Sequence, residues 1–251
     1  MDTKTAYQAS KEWWAELDAD EQNKLLDRFA IDYSYNSVRI ENDEVTPELT
    51  RDVMQKGQLS NFSGSLKTLY ELHGHAAAYT MMRADTEHER PFDEDYILDV
   101  HRALAWGTYD ERQIADGERP GSYRSGDYLI AGLAAAGAAA EDCPALIREL
   151  CAEVQEALAD LNPRHAFIIA CYFHCSYEAI HPFSDASGTS GRMLMNHLLL
   201  LGGHPPIIIF AEDKKAYFSA IEAFARTGDL EPFKEFLTEQ CAKTWRDRAW
   251  A

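Results

Sequence analysis

The chain has few basic residues, few cysteines and no long apolar segment, and each shortage argues against a class of protein. Its 251 residues include 24 Lys and Arg against 42 Asp and Glu, which gives a net charge of −18. Phosphate backbones and anionic membranes repel such a surface, so a nucleic-acid partner is not expected. An anionic small ligand would need a local pocket of positive charge.

Cysteine usage indicates a reducing compartment, and hydropathy argues against a membrane span or a signal peptide. The five cysteines form an odd set in a chain of this length, which argues against a disulfide framework. No apolar run approaches the roughly 18 residues of a membrane-spanning helix, and residues 1–5 lack the basic-then-apolar pattern of a signal peptide. We therefore expect a cytoplasmic protein without membrane association, although a secretion signal read by dedicated machinery would escape this test.

Hydrophobic periodicity predicts an all-α fold. Apolar residues recur at helical spacing, and the pattern predicts helices near residues 65–82, 93–106, 144–160, 166–180, 213–226 and 231–247. Asp20 is a candidate cap for an earlier helix, and Thr46 before Pro47 is another. Residues 166–180 are the most apolar segment, so we expect a central helix buried on most sides. The length suits one large domain or one domain with a small extension.

One region interrupts the helical pattern. Glycine and proline punctuate residues 108–132, where Tyr123 and residues 128–130 could form short strands around a turn. We predict a small β-hairpin on the helical body, and a plain surface loop fits the composition equally well.

The segment 181–192 reads as a short loop between two helices. Pro182 disfavours helical geometry at His181 and cannot continue the preceding helix. Small or capping residues follow at Asp185, Ser187, Gly188 and Gly191. Free N–H groups at the start of the second helix predict a phosphate cradle, because they point into the loop and the helix dipole favours anions.

Three side chains could add chemistry to this cradle. Arg192 can reach a phosphate held there, and Asp185 could hold Mg²⁺ bound to the same phosphates. His181 lies on the other lip, where a base for an incoming hydroxyl would sit. By composition alone, a structural turn and an ordinary helix cap explain these residues more often than a functional site does.

The loop resembles the active-site motif of the Fic family, His-x-Phe-x-Asp/Glu-Gly/Ala-Asn-Gly/Lys-Arg-x-x-Arg. Six positions match: His181, Phe183, Asp185, Ala186, Gly188 and Arg192. Two positions depart, with Ser187 in place of Asn and Thr189 in place of the first Arg. His174, Asn196 and residues 121–124 also look like the family, and the resemblance covers roughly residues 30–240.

The resemblance implies a helical bundle with a hairpin flap, and a transferase that moves AMP from ATP to a hydroxyl side chain of a protein. His181 would be the base and Asp185 would hold Mg²⁺. Phosphate-binding residues would be Ser187, Gly188, Thr189, Gly191 and Arg192. Target docking to the flap would involve Tyr123, Arg124 and Tyr128. The target would carry a Ser, Thr or Tyr hydroxyl and could be this protein itself. The protein could also form a homo-oligomer.

A second motif lies upstream, where residues 37–42 fit the family's inhibitory pattern Ser/Thr-x-x-x-Glu-Gly/Asn. The resemblance implies that residues 1–60 are N-terminal helices, one of them inhibitory, and that residues 61–251 form the catalytic core. In such proteins the glutamate, here Glu41 beside Ser37, pairs with the second motif arginine, here Arg192. The alternative is a capping Ser and Glu on a solvated helix.

The two departures leave three hypotheses open. Thr189 removes a positive charge from a site that must hold a triphosphate, and Ser187 replaces an amide with a hydroxyl. The chain could be a slow AMP transferase, or one that also removes AMP with Glu41 positioning water. It could instead use another phosphate-containing donor, or it could be a non-catalytic nucleotide- or partner-binding module.

A zinc site is a competing hypothesis. Cys171, His174 and Cys175 share one helical face, with His181 nearby, and His73 and His75 form a loose pair. The segment is strongly apolar, however, and free cysteine is a common core residue, so core packing is the simpler explanation.

Overall fold

The computed structural model describes residues 2–56, 64–127, 137–159 and 161–246, and these ranges contain helices and loops without a strand. The helices are α1 (Thr3–Glu16), α2 (Ala19–Arg39), α3 (Pro47–Lys56), α4 (Leu66–Glu87), α5 (Glu94–Leu104), α6 (Glu111–Ala115), α7 (Cys143–Leu158), α8 (Pro163–Ile180), α9 (Ser187–Leu201), α10 (Lys214–Thr227) and α11 (Glu231–Thr244). The all-α prediction is confirmed. No helix in the described ranges is long and apolar enough to cross a membrane.

Helices α8 and α9 form the centre of the molecule and pack along each other. Helices α7, α10 and α11 cover α8, while α4 and α5 cover α9. The interface is apolar, with Phe173 of α8 and Leu194 and Leu198 of α9 fully buried. The expected central helix at 166–180 is therefore present. The loop that joins the two central helices is held by the best-packed part of the fold.

The N-terminal helices pack onto this centre. α1 lies against α11, and α2 lies against α4 and α9, so the end of α2 reaches the start of α9. A separate unit over residues 1–60 stays a prediction.

Side-chain caps explain where several helices begin. Asp18, rather than the predicted Asp20, caps α2, because its carboxylate accepts from the Glu21 N–H at 2.8 Å in a capping box. Thr46 accepts from the Leu49 N–H at 3.2 Å, as predicted for the start of α3. Asn162 accepts from two N–H groups of the first turn of α8. These caps set the starts of the helices that carry or cover the loop.

The described half of the predicted hairpin is a loop rather than a strand. The Arg124 N–H donates to the Pro182 carbonyl at 3.0 Å instead of to a neighbouring strand. The Tyr123 ring stacks on Phe183 with 5.8 Å between centroids. These contacts tie residues 123 and 124 to the site loop, and residues 121–127 contain no strand. The second half of the predicted hairpin, with Tyr128, lies outside the described residues.

Candidate active site

The loop between α8 and α9 is bracketed by two residues in the left-handed region. His181, which ends α8, has φ +50°, and Ala186, which precedes α9, has φ +55°. Each costs roughly 1–2 kcal/mol for a residue with a Cβ. The surrounding contacts must hold this conformation in place, and strain of this kind is typical of functional sites.

Ser187 and Phe183 hold the loop closed. The Ser187 hydroxyl accepts from the Phe183 N–H at 3.0 Å and donates to the Phe183 carbonyl at 3.2 Å. Phe183 is fully buried and stacks on the His101 ring of α5, with centroids 3.6 Å apart. The expectation that Phe183 anchors the loop agrees with these contacts.

His101 is a supporting residue that the sequence analysis missed. Its Nδ1 accepts from the Gly121 N–H at 3.0 Å, so its Nε2 carries the proton and donates to the Asp185 carbonyl at 3.1 Å. Burial lowers the pKa of His101 to about 4, which keeps the ring neutral. Its only signal in the sequence is a histidine on the core-facing side of α5.

His181 is half-buried at the edge of a cavity of about 190 Å³. Burial, and then the positive charge of Arg124, lower the pKa of His181 to about 4. Its Nδ1 has no hydrogen-bond partner among the residues described. The imidazole is therefore neutral at physiological pH and able to accept a proton.

Arg124 supports the loop rather than facing the surface. It is buried, and its Nε donates to the His181 carbonyl at 2.8 Å while its Nη1 donates to the Gly126 carbonyl at 2.7 Å. Tyr123 is half-buried and its hydroxyl donates to Glu94 at 2.9 Å. Tyr123 and Arg124, two of the three predicted docking residues, thus have structural contacts in this conformation.

Arg192 lies one turn into α9 and is fully buried. Its Nη2 donates to Glu41 Oε1 at 2.7 Å and to the Ser37 carbonyl at 2.8 Å, and its Nε donates to the Ser37 hydroxyl at 3.0 Å. Weaker contacts reach the hydroxyls of Thr189 at 3.2 Å and Tyr217 at 3.4 Å. The contact predicted between residues 37–42 and Arg192 is present.

Glu41 lies at the entrance of the predicted phosphate cradle. Ser187, Gly188 and Thr189 are the first residues of α9, where N–H groups have no helical acceptor. A Cβ on Gly188 would lie 2.6 Å from Glu41 Oε1 and 2.9 Å from Arg192 Nη1. An anionic oxygen therefore already stands beside the free N–H groups and the guanidinium, in the position that suits a phosphate oxygen.

Gly191 faces a different neighbour. A Cβ there would lie 2.9 Å from the Tyr177 ring of α8, and near the side chains of His174 and Glu178 at 3.2 Å each. The absent side chain at 191 lets α9 approach α8 closely.

Asp185 projects from the loop toward the N-terminus of α4. Its Oδ2 pairs with Lys67 Nζ at 2.9 Å, and its Oδ1 accepts from the Ala186 N–H at 3.0 Å. Over the described ranges, no three His, Cys, Asp or Glu residues converge as a metal cluster. A single carboxylate still fits Mg²⁺, which takes its other ligands from phosphates and water. Lys67, which the sequence analysis missed, shares the carboxylate with any such ion.

The zinc hypothesis gains no support. Cys171, His174 and Cys175 are all buried, and the His174 Nε2 lies 2.8 Å from the Tyr217 hydroxyl. Burial raises the pKa of both thiols, which disfavours the thiolate that zinc requires. These residues belong to the apolar core between α8 and its neighbours.

Comparison with solved structures defines the fold. A Fic-domain-containing signaling protein from Bacteroides thetaiotaomicron superposes with a TM-score of 0.79 at 23% identity, covering 98% of this chain and 94% of that one. Fic-1 from C. elegans superposes with a TM-score of 0.78 at 19% identity, covering 97% and 70%. At these identities the likeness shows a Fic-type fold.

Sequence comparison finds a family model that matches the part of the chain containing the loop. Residues 91–199, from just before α5 to near the end of α9, match the model of the Fic/DOC family. This segment, which includes the loop 181–192, is similar to the Fic/DOC family over less than half of the chain.

Curated relatives extend the match. Protein adenylyltransferase Fic from Aedes aegypti is 26% identical over 227 residues, 88% of this chain and 42% of that protein. The protein of the same name from Drosophila persimilis is 26% identical over 222 residues, 86% and 40%. The chain thus spans less than half the length of these relatives.

Proposed function

We propose that the protein is an adenylyltransferase that moves AMP from ATP to a hydroxyl side chain of a protein, and that Glu41 restrains it. One observation carries the proposal. A neutral His181, the free N–H groups at the start of α9, Asp185 and Arg192 all border one cavity. The names of the curated relatives support the same reaction.

The cradle suits the phosphates of the donor. The N–H groups of the first turn of α9 would donate to phosphate oxygens, and Gly188 leaves room for close approach to the backbone. Arg192 would add a charge-assisted donor once it is released from Glu41. Asp185 would hold Mg²⁺, which supplies positive charge that stabilises the leaving pyrophosphate.

His181 would act as the general base in the chemical step. The target hydroxyl attacks the α-phosphorus, a new oxygen–phosphorus bond forms, and the bond to the β-phosphate breaks to release pyrophosphate. The proton of the hydroxyl passes to the neutral imidazole of His181. The N–H groups of α9 stabilise charge as it shifts between the phosphates.

Restraint follows from the position of the Glu41 carboxylate. It lies where a phosphate oxygen would bind, and it accepts the shortest hydrogen bond of Arg192, from Nη2 at 2.7 Å. The cavity of about 190 Å³ is also below the roughly 300–1,000 Å³ of ordinary ligand pockets. We infer that productive ATP binding requires Glu41 to move, and that the region of residues 121–132 then docks the target segment by strand addition.

Thr189 supports a second candidate. It contributes hydroxyl contacts to Arg192 and Glu41, where the family motif has a cation. Loss of one charge-assisted hydrogen bond costs roughly 1.5–3 kcal/mol, which lowers a rate roughly ten- to a hundred-fold if it falls on the transition state. A transferase with another phosphate-containing donor is therefore the alternative, with a non-catalytic binding module as the remaining outcome.

The test is incubation of the protein with ATP and Mg²⁺, alone and with a cell lysate. Mass spectrometry reads any mass added to a protein, including this one. Wild type, Glu41→Gly and the double variant with His181→Ala are compared. The adenylyl group should appear most strongly with Glu41→Gly and vanish in the double variant, which should still bind ATP by calorimetry. Addition of a different group would favour the second candidate, and absence of any modification would reject the transferase.

A further inference from the structure

Glu178 is a carboxyl group inside the proposed phosphate pocket that the reaction above does not use. It lies on α8, one turn before His181, and is 3% exposed. It borders the same cavity as His181, Gly188 and Arg192. Its Oε1 has no hydrogen-bond partner within the ranges that the structure describes. A buried polar atom without a partner costs about 1–3 kcal/mol, which is unusual for a group with a purely structural role.

The unpartnered oxygen faces the phosphate cradle. A Cβ on Gly188 would lie 3.5 Å from Glu178 Oε1, and a Cβ on Gly191 would lie 3.2 Å from it. Glu178 therefore lies beside the first turn of α9, close to the N–H groups that would hold phosphate. Glu41 Oε1 lies 2.6 Å from the same point near Gly188.

The groups around Glu178 decide its protonation. Burial raises its pKa to about 7, and the charge of Glu41, from the end of α2, acts in the same direction. Arg192 of α9 and the hydroxyl of Tyr217 of α10 lower it. His174, on the same helix with its Nε2 3.8 Å from Oε1, is kept neutral by burial and supplies no charge. Near neutral pH the acid and the carboxylate are therefore both accessible.

Phosphate bound in the cradle would favour the carboxylic acid of Glu178 over its carboxylate. A carboxylate at this depth would repel the anion, because water cannot screen the two charges. A carboxylic acid has an O–H that can donate to a phosphate oxygen. We propose that Glu178 takes part in nucleotide binding as the protonated acid, donating a hydrogen bond to a phosphate oxygen, so that binding takes up a proton. This inference rests on the proposed phosphate pocket.

Protonated Glu178 would supply one of the hydrogen-bond donors that the loop lacks because it has Thr189 in place of an arginine. At position 189, where the family motif has an arginine, this chain has Thr189, and Arg192 is the arginine that borders the described cavity. The neutral O–H of Glu178 would give the phosphate a hydrogen bond without adding positive charge. The consequence is a nucleotide affinity that depends on pH.

The experiment is calorimetry of AMPPNP binding with Mg²⁺ to the full chain, in buffers of different ionisation enthalpy. It uses the Glu41→Gly background, alone and with Glu178→Gln. Removal of Glu41 lowers the resting pKa of Glu178 and so enlarges the uptake. On binding AMPPNP, the parent should take up a large fraction of one proton more than the Glu178→Gln variant does. Titration of the AMPPNP phosphates is common to both chains and cancels in this difference.

Affinity should fall about tenfold between pH 6 and pH 8 through Glu178. The Glu178→Gln variant, whose amide still donates, should bind with a weaker dependence. Asp32→Asn is the matched control, because burial raises the pKa of the Asp32 carboxyl at a position that does not border the cavity. This control should behave like the parent.

The outcomes separate the two ideas. Binding with the same proton uptake and pH dependence in the parent and in Glu178→Gln overturns the role of Glu178 and leaves the phosphate pocket standing. Absence of AMPPNP binding in every chain overturns the pocket itself. If Glu178→Gln does not fold, ¹³C NMR of the Glu178 carboxyl in the parent, with and without AMPPNP, gives the same answer. A carboxyl that remains ionised in the complex at pH 7 rejects the proposal.

Discussion

Arg192 and Glu41 form an unequal pair, with Nη2 2.7 Å from Oε1, one side chain 1% exposed and the other 38% exposed. The arginine keeps the hydroxyl and carbonyl of Ser37 as acceptors at 3.0 and 2.8 Å if Glu41 leaves. The guanidinium can therefore stay buried and hydrogen-bonded while the Glu41 carboxylate moves. The proposed restraint by Glu41 would therefore be reversible without loss of the fold.

Glu41→Gly should strengthen ATP binding and raise self-modification roughly tenfold or more, because one charge-assisted contact of Arg192 becomes available to phosphate. Calorimetry with ATP and the rate of self-labelling measure the two effects. Asp43→Gly is the matched control, since it removes an exposed carboxylate two residues away that makes only 3.8 Å contacts. Equal changes in both variants would show that flexibility of this turn, rather than release of Arg192, is the cause.

His181 should give transfer an acid limit well below the usual histidine range. The neutral imidazole is the base, and its pKa is lowered to about 4. With Glu41→Gly, kcat/KM should therefore not decrease from pH 7 down to about pH 5 and should fall only at lower pH. Measurement of kcat/KM against pH tests this. A fall centred near pH 6.5 would mean that the ring is solvated like a free histidine, and the proposed environment of His181 would be wrong.

Glu178 should make the fold less stable as pH rises, even without nucleotide. Its folded pKa of about 7 lies above its ordinary value of 4.5. The unfolded chain then loses its proton first, so stability falls between those pH values and is constant above them. Relative to Glu178→Gln, the wild type should lose roughly 3 kcal/mol between pH 4 and pH 8. Urea unfolding of both chains across this range measures the difference, and parallel stability curves would contradict it.

Lys67→Met should tighten metal binding in the presence of nucleotide, because the ammonium that lies 2.9 Å from Asp185 competes for the same carboxylate. Titration with Mn²⁺ as a paramagnetic probe, with AMPPNP present, reads affinity without turnover, and a gain of several-fold is expected. Lys214→Met is the matched control, since Lys214 is similarly exposed and pairs with Asp43 instead. A loss of metal affinity in Lys67→Met alone would show that the lysine helps to hold the phosphates.

The helices and the position of the loop could be predicted because both leave local signals. Apolar spacing marked α4, α5 and α7 to α11, and Pro182 marked the end of α8. The contact between Glu41 and Arg192 was predictable only through the resemblance, since it joins residues 151 positions apart.

Other features of the site leave no local signal. Lys67, His101 and Glu178 are single polar residues on otherwise ordinary helices, and their roles depend on which helices pack together. The strand expected at Tyr123 was wrong because the Arg124 N–H bonds to the Pro182 carbonyl, a partner that composition does not reveal.

The two departures from the motif yield the last prediction. Ser187 already closes the loop through Phe183, so Ser187→Asn should preserve that contact and have little effect alone. Thr189 is 8% exposed and touches both Glu41 and Arg192. An arginine introduced at this position in the wild type would meet the Glu41 carboxylate, so its charge would be neutralised by that pair.

The double change Ser187→Asn, Thr189→Arg should therefore raise AMP transfer roughly tenfold or more only together with Glu41→Gly. Self-labelling rates with ATP and a panel of other nucleotides measure the gain, and Thr189→Gln separates added charge from added size. A gain with Arg but not with Gln indicates a weakened AMP transferase that lacks a cation. Flat AMP transfer with a fall in labelling by another nucleotide would indicate a loop shaped for that donor. If no nucleotide labels any variant and ATP affinity is unchanged throughout, the pocket is not catalytic, and the transferase is the wrong function for this chain.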